Sequence, residues 1–194
     1  MSRTALAPAK LNLFLHVGAP GDDGYHPLCS LMVFADFGDR VRIDPADVMG
    51  FRANGPFAGE LGPPRENLVA RAAEALIARR RGPIPPLAVT LEKNLPVAAG
   101  LGGGSSDAGA ALRLLRGAIA PELTDQDLAA IAAELGADGP ACLFGRPVIA
   151  EGRGERLSPA PGLPVMDAVL VNPRVAVPPP RSTGASTPMA ASRR

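Results

Sequence analysis

Tryptophan is absent from the 194 residues, tyrosine occurs once and histidine twice. A chain so poor in flat side chains offers little on which single-stranded bases can stack. Net charge is equally scarce: 20 Lys and Arg stand against 19 Asp and Glu, leaving +1. That balance gives no electrostatic footprint for nucleic acid or for an anionic membrane surface. Cysteine stops at two, Cys29 and Cys142. They lie far apart without metal-ligand spacing and read as buried reduced thiols rather than a disulfide or a zinc site. Long apolar runs are missing too. Within "MSRTALAPAKLNLFLHVG" the apolar stretch is interrupted by Lys10, Asn12 and His16, which argues against a secretory leader or a spanning helix. The expectation is a cytoplasmic protein with a small-molecule substrate, no nucleic acid or membrane partner and no dedicated metal cluster. Its oligomeric state is left open.

What is present suffices for a folded domain. Apolar residues make up 46% of a chain long enough for one domain with a core and part of a second. Leu11, Leu13, Leu15 and Val17 alternate with Lys10, Asn12, Phe14 and His16, predicting a strand with one apolar face over 11–17. Further strands are predicted at 40–43, 87–92 and, buried, at 166–171. Helices are predicted at 66–82, at 107–120 opening on the serine pair, and at 124–136. Thr124 caps the last one, whose stripe is Leu128, Ile131, Ala132 and Leu135. Strands and helices do not alternate strictly, so the fold class is α+β rather than a doubly wound sheet.

The most informative stretch is "PVAAGLGGGSSDAG" at 96–109. Glycine lets the backbone reach φ > 0 and brings N–H groups close to a ligand. A glycine run that opens a helix makes an amide-lined concavity suited to phosphate. The dinucleotide fingerprint does not fit, because counting from Gly100 the last glycine is missing and no acid ends the next strand. A Walker A loop does not fit either, since no lysine follows the glycines. A flexible linker is disfavoured because a capping pair and an apolar helix follow at once.

"PVAAGLGGGSSDA" resembles the second motif of the GHMP kinases. "APAKLNLFLHVG" (7–18), "DGYHPL" (23–28) and "LGADGPACL" (135–143) occur with it in the family's order. Together these blocks resemble the branch whose substrate is cytidine-diphosphate methylerythritol, in the non-mevalonate route to isoprenoids; "DGYH" with "APAKLNL" disfavours a homoserine kinase. The resemblance implies a GHMP N-terminal domain (ribosomal protein S5 domain 2-like) over 1–163 that uses ATP with Mg²⁺. It implies that Pro96, Val97, Ala98, Ala99, Gly100, Leu101, Gly102, Gly103, Gly104, Ser105 and Ser106 hold the nucleotide. It makes Lys10 and Asp138 the catalytic pair. Asp138 takes the substrate hydroxyl's proton, and Lys10 keeps the aspartate ionised. Asn12, Tyr25 and His26 fall on substrate-binding positions. Asn67 matches a position near the nucleotide base or is simply a helix cap, and Asp107 complements the helix dipole or lies near Mg²⁺.

Two departures from the family stand out. Gly139 and Ala141 replace larger apolar residues, which implies looser support for Asp138. The family's second half is a ferredoxin-like domain with a third glycine-rich motif, and it is largely absent. Residues 164–177 would begin it, and 178–194 read as a disordered tail. The switch after Pro178 looks like a reading-frame change or a truncation. A second reading follows, in which the chain is a non-catalytic remnant that still binds nucleotide.

Overall fold

A computed structural model describes residues 1–160 and 162–172; the tail expected over 178–194 lies outside them. The elements are β1 (Arg3–Val17), β2 (Leu28–Pro45), β3 (Gly50–Asn54), α1 (Leu68–Arg79), β4 (Leu87–Glu92), α2 (Gly103–Ile119), α3 (Asp125–Leu135), α4 (Gly139–Phe144), β5 (Val148–Gly152) and β6 (Arg156–Pro159). Two short 3₁₀ turns, Ala58–Glu60 and Pro64–Glu66, lie between β3 and α1. All belong to one unit, Met1–Pro164.

The long strand β2 organises the sheet. One edge pairs antiparallel with β1 along nearly its whole length. The other edge is divided: Leu28–Met32 pair with β5 and Arg40–Pro45 with β4. The stretch Val33–Asp39 therefore has no strand on that edge, and backbone donors there need other partners. β3 adds parallel to β4 and β6 antiparallel to β5. Helices pack on one face of this sheet. Val41, Ile43, Val89 and Leu91 point towards Leu76 of α1, Leu112 and Leu115 of α2 and Leu128 and Ile131 of α3. Each such side chain, fully buried, stabilises the fold by roughly 1.5–3 kcal/mol. The opposite face carries Thr4, Arg40, Arg42, Arg52 and Thr90, the arrangement of a two-layer α+β domain.

Local chemistry explains the helix ends. Thr124 accepts from Asp127 N, and the Asp127 carboxylate accepts from Thr124 N, a reciprocal capping box. α1 starts at Leu68 rather than 66, because Asn67 caps it from an extended conformation by accepting from Val69 N. α2 starts at Gly103 rather than at 107, so two glycines of the loop belong to its first turn.

Other expectations are corrected. Leu13, Leu15 and Val17 do not face a core; they are 48%, 52% and 60% exposed. Bulges at Pro8/Lys10 and Asn12/Phe14 shift the register, so the alternation does not carry one face through the strand. Residues 166–171 form no strand and are exposed, so the apolar run there is not a buried one. Both cysteines are free, but Cys29 is only half-buried, on a strand position between β1 and β5. Burial pushes the Cys142 thiol up to about 11, leaving it unreactive. No helix among the described residues is long and apolar enough to cross a membrane.

Candidate active site

The glycine loop runs from the segment after β4 into α2. Leu101 O accepts from Lys10 N at 2.8 Å, tying the loop to β1. Gly102 follows in the left-handed region at φ 63°, and a Cβ there would stand 3.1 Å from Lys10 Cβ and Cε and 3.4 Å from Cys142 Sγ. Only glycine meets both conditions. Gly103, Gly104 and Ser105 then open α2 with their N–H groups unclaimed by the helix, at the positive end of its dipole. With Asn67, Leu68, Lys93 and Asp107, residues Pro96 to Ser105 line an open cavity of about 440 Å³, in the size range of small-ligand sites. Ser106 lies outside that lining, fully buried at the base of the loop, with its N–H donating to Gly102 O. Asn67 both caps α1 and faces the cavity, so the cap and the nucleotide-side position are compatible.

Ala98 is the one non-glycine among the described residues with positive φ, at 56°. An L-residue there costs about 1–2 kcal/mol, and glycine regains roughly 0.4–1 kcal/mol of unfolded-chain entropy. Ala98→Gly is therefore expected to raise unfolding stability by about 0.5 kcal/mol, read from the urea midpoint.

Lys10 and Asp138 meet on the other side of the loop. Lys10 Nζ lies 3.1 Å from Asp138 Oδ2, with the lysine almost fully buried and the aspartate 35% exposed. The same ammonium donates to Asn12 Oδ1 at 2.8 Å. Asn12 Nδ2 donates to Ser30 Oγ, which in turn donates to Phe14 O. Lys10 is thus aimed by a relay anchored in β1 and β2. Asp138 stands at the start of α4 and makes no capping bond with its side chain, which leaves the carboxylate free to face Lys10 and solvent.

The expected loosening around Asp138 is overturned. Gly139 is buried, and a Cβ on it would fall 2.0 Å from Ala132 O. α4 lies backbone-to-backbone against α3, so a larger residue has no room. Ala141 is 1% exposed, packed with Met32, Val148 and Ala150. Small residues here tighten the support of the aspartate.

Tyr25 and His26 sit apart, in the loop that joins β1 to β2. Tyr25 N donates to Asp23 Oδ1, Arg153 lies over the Tyr25 ring at 4.3 Å and pairs with Asp23, and His26 Nδ1 meets Gly18 O at 2.8 Å. No hydrogen bond or ion pair among the described residues joins either to Lys10, Asn12 or Asp138. Sequence reasoning missed Arg153, which lies 130 residues from Asp23.

It also missed Asp39 and Lys93, which with Asp107 form a buried charged cluster beneath the loop. Lys93 Nζ donates to Asp39 Oδ2 at 2.5 Å and to Asp107 Oδ2 at 2.9 Å. Burial pushes the Asp107 carboxyl up to about 8, the Lys93 charge opposing and the Asp39 charge reinforcing the rise. Burial alone would lower Lys93, but the two carboxylates outweigh it and raise it. Asp107 is thus a buried carboxyl paired with Lys93 at the edge of the cavity rather than a solvated dipole partner. A carboxyl raised in the folded state binds its proton more tightly there, so stability falls as pH rises from about 4 to 8. Asp107→Asn is expected to flatten the urea-midpoint profile in that window; an unchanged slope would contradict the assignment.

Among the described residues no group of three or more His, Cys, Asp or Glu side chains is placed to hold a metal ion. Mg²⁺ commonly keeps several waters and takes phosphate oxygens as ligands, so the site offers no all-protein cage for it.

An amide-lined loop at a helix start, beside a buried lysine and a half-exposed aspartate, is the arrangement of a nucleotide-dependent kinase domain. Residues 67–146 match the GHMP kinases N terminal domain, and the chain carries that domain. It is 62% identical over 185 residues to the 4-diphosphocytidyl-2-C-methyl-D-erythritol kinase of Caulobacter vibrioides (strain NA1000 / CB15N), covering 95% of this chain and 62% of that one. It is 51% identical to the kinase of the same name from Ruegeria pomeroyi, covering 91% and 61%. A crystal structure of 4-(cytidine 5'-diphospho)-2C-methyl-D-erythritol kinase superposes with a TM-score of 0.68 at 41% identity, over 81% of this chain and 55% of that one. The chain spans about three fifths of the length of the curated relatives it matches. The Caulobacter alignment, at 95% of the chain, runs past Pro178, beyond the motifs that carried the resemblance.

Proposed function

We propose that the chain phosphorylates the 2-hydroxyl of 4-diphosphocytidyl-2-C-methyl-D-erythritol with ATP; the relatives are named as kinases of that compound. The observation that carries this reading is the 3.1 Å Lys10–Asp138 contact set directly against Gly102 of the glycine loop. It supports the reading because a carboxylate and an ammonium beside the loop suit the transfer of a phosphoryl group from a nucleotide held there.

The loop amides at 103–105 and the helix dipole receive the anionic phosphates. Asp138 accepts the proton of the substrate hydroxyl as its oxygen bonds to the γ-phosphorus. The bond to the bridging oxygen breaks, and ADP leaves with that electron pair. Lys10 offsets charge on the transferred group and, through Asn12 and Ser30, is held in one direction. Mg²⁺, when brought by the nucleotide, would neutralise phosphate charge, and no side chain is assigned to it. Tyr25 offers a ring for the cytosine on the face not taken by Arg153, and His26 a hydrogen bond to a base edge. A compartment with free ATP and reduced thiols, the cytoplasm, suits this chemistry.

The test is substrate choice. Turnover of the cytidylated compound with none of uncytidylated methylerythritol phosphate is expected, and His26→Ala should erode that preference. Equal turnover of both, or turnover of homoserine, would overturn the assignment. The second reading, a nucleotide-binding remnant, predicts ATP binding with no turnover.

A further inference from the structure

Both ends of the glycine loop converge on one buried charged cluster. At the entering end, Asp39 Oδ1 accepts from Asn94 N at 2.5 Å and from Leu95 N at 2.7 Å. These two bonds tie the segment after β4 to the end of the β2 stretch that lies between its pairings with β5 and β4. At the leaving end, Lys93 Nζ reaches Asp107 in α2 at 2.9 Å, and it would lie 3.0 Å from a Cβ on Gly103. Asp39 Oδ2 and Lys93 Nζ, 2.5 Å apart, join the two ends. All three side chains are at most 3% exposed. Lys93 is itself fixed by its backbone, with Lys93 N donating to Asn54 O and Lys93 O accepting from Phe57 N. Between these ends, residues 96–102 make few bonds of their own. Leu101 O accepts from Lys10 N, and Val97 N donates to Glu60 at 3.3 Å.

We propose that Asp39, Lys93 and Asp107 form a clasp that closes the glycine loop at both ends, and that they act as positioning residues for the ligand held by the loop. The ligand's identity rests on the nucleotide reading above; the clasp itself does not. Its three members come from three elements, β2, the segment after β4 and α2; Lys93 and Asp107 also line the cavity, so exchange at 103–106 in the unliganded chain, rather than affinity alone, reads their hold on the loop. A loop closed in this way keeps the amides of 103–105 at one spacing before the ligand arrives, which lowers the ordering cost of binding. A buried cation with two carboxylates is costly to half-dismantle, so each member can be tested by what its loss releases.

The experiment is amide hydrogen exchange on the unliganded chain, followed by ATP affinity from a fluorescent ATP analogue. In Asp107→Ala the Asp39–Lys93 pair remains. Amides 103–106 are expected to exchange about tenfold faster while Asn94 and Leu95 stay as slow as before. In Lys93→Met both ends should loosen, with Leu112 to Leu115 unchanged in the same helix. Asp107→Asn restores an acceptor for Lys93 and should return both slow exchange and affinity. Affinity is expected to fall about tenfold in Asp107→Ala. If Lys93→Met does not fold, the asymmetric response of Asp107→Ala decides alone. Unchanged exchange at 103–106, an equal rise along all of α2, or no rescue by Asp107→Asn would overturn the clasp. A wild-type chain that binds no ATP yet shows the asymmetric exchange would remove the nucleotide reading and leave the clasp standing.

Discussion

Asp138→Asn is expected to cut substrate-dependent ADP formation by about 10²–10⁴-fold, the usual contribution of a positioned general base. The size of the effect follows from how little else at the site can accept a proton. Lys10 is committed to Asp138 and Asn12. Burial pushes Asp107 up to about 8, and it lies on the far side of the loop. Asparagine keeps the shape and an oxygen facing Lys10 but has no basic electron pair. ATP affinity should stay within about twofold, because Asp138 contributes nothing to the loop amides. A loss of affinity equal to the loss of rate would make Asp138 a binding residue. The carboxylate is 35% exposed, so an amide in its place needs no buried rearrangement and the variant should fold.

Gly139→Ala carries the largest expected effect on stability. The added Cβ would lie 2.0 Å from Ala132 O and 2.6 Å from Ala132 C. Both are backbone atoms, so no rotamer change relieves the overlap, and α4 must move away from α3. Overpacking of this kind costs about 3 kcal/mol, at the upper end for a single added carbon. That corresponds to a fall in Tm of roughly 6–12 °C for a chain of this size. Gly59→Ala is the control, since nothing lies within 4 Å of its Cβ position, and it should be close to neutral. The displacement also reaches chemistry, because Asp138 immediately precedes the helix that moves. Turnover should fall in the folded fraction of Gly139→Ala, and a variant with normal stability would contradict the close packing of α3 on α4.

The parts of this molecule legible in its sequence are those governed by local rules. The ends of β4 at 87–92 are readable because its buried positions alternate cleanly between neighbouring strands. The Thr124 cap and the stripe of α3 follow from hydrogen-bond and periodicity rules within a few residues. Of β2 only 40–43 is readable, because its first two thirds, "LCSLMVFADFGD", lack alternation and are held extended by β1, with β5 on the first five residues, rather than by their own pattern. The short strands β5 and β6 and the six-residue α4 escape sequence reading for a similar reason: each depends on a neighbour distant in sequence. The inward face expected for Leu13, Leu15 and Val17 fails on two bulges, which no residue in "KLNLFLHV" announces.

The same division runs through the site. Lys10, Asn12 and the glycine loop do come together, and Asp138 joins them. Tyr25 and His26 do not join that cluster by any hydrogen bond or ion pair among the described residues. The clasp is invisible in sequence, since Asp39 and Lys93 stand 54 residues apart in segments with no signature. The only local sign is a lysine placed directly after a strand whose alternate positions are buried, just ahead of the glycine loop. Such a residue must either reach solvent or find a buried partner.

The most direct measurement is ADP formation by the 194-residue chain supplied with Mg-ATP, with and without 4-diphosphocytidyl-2-C-methyl-D-erythritol. ADP that depends on that substrate and disappears in Asp138→Asn is the predicted result. A folded chain that binds ATP but forms no ADP above the substrate-free level would contradict the kinase reading and leave a nucleotide-binding remnant.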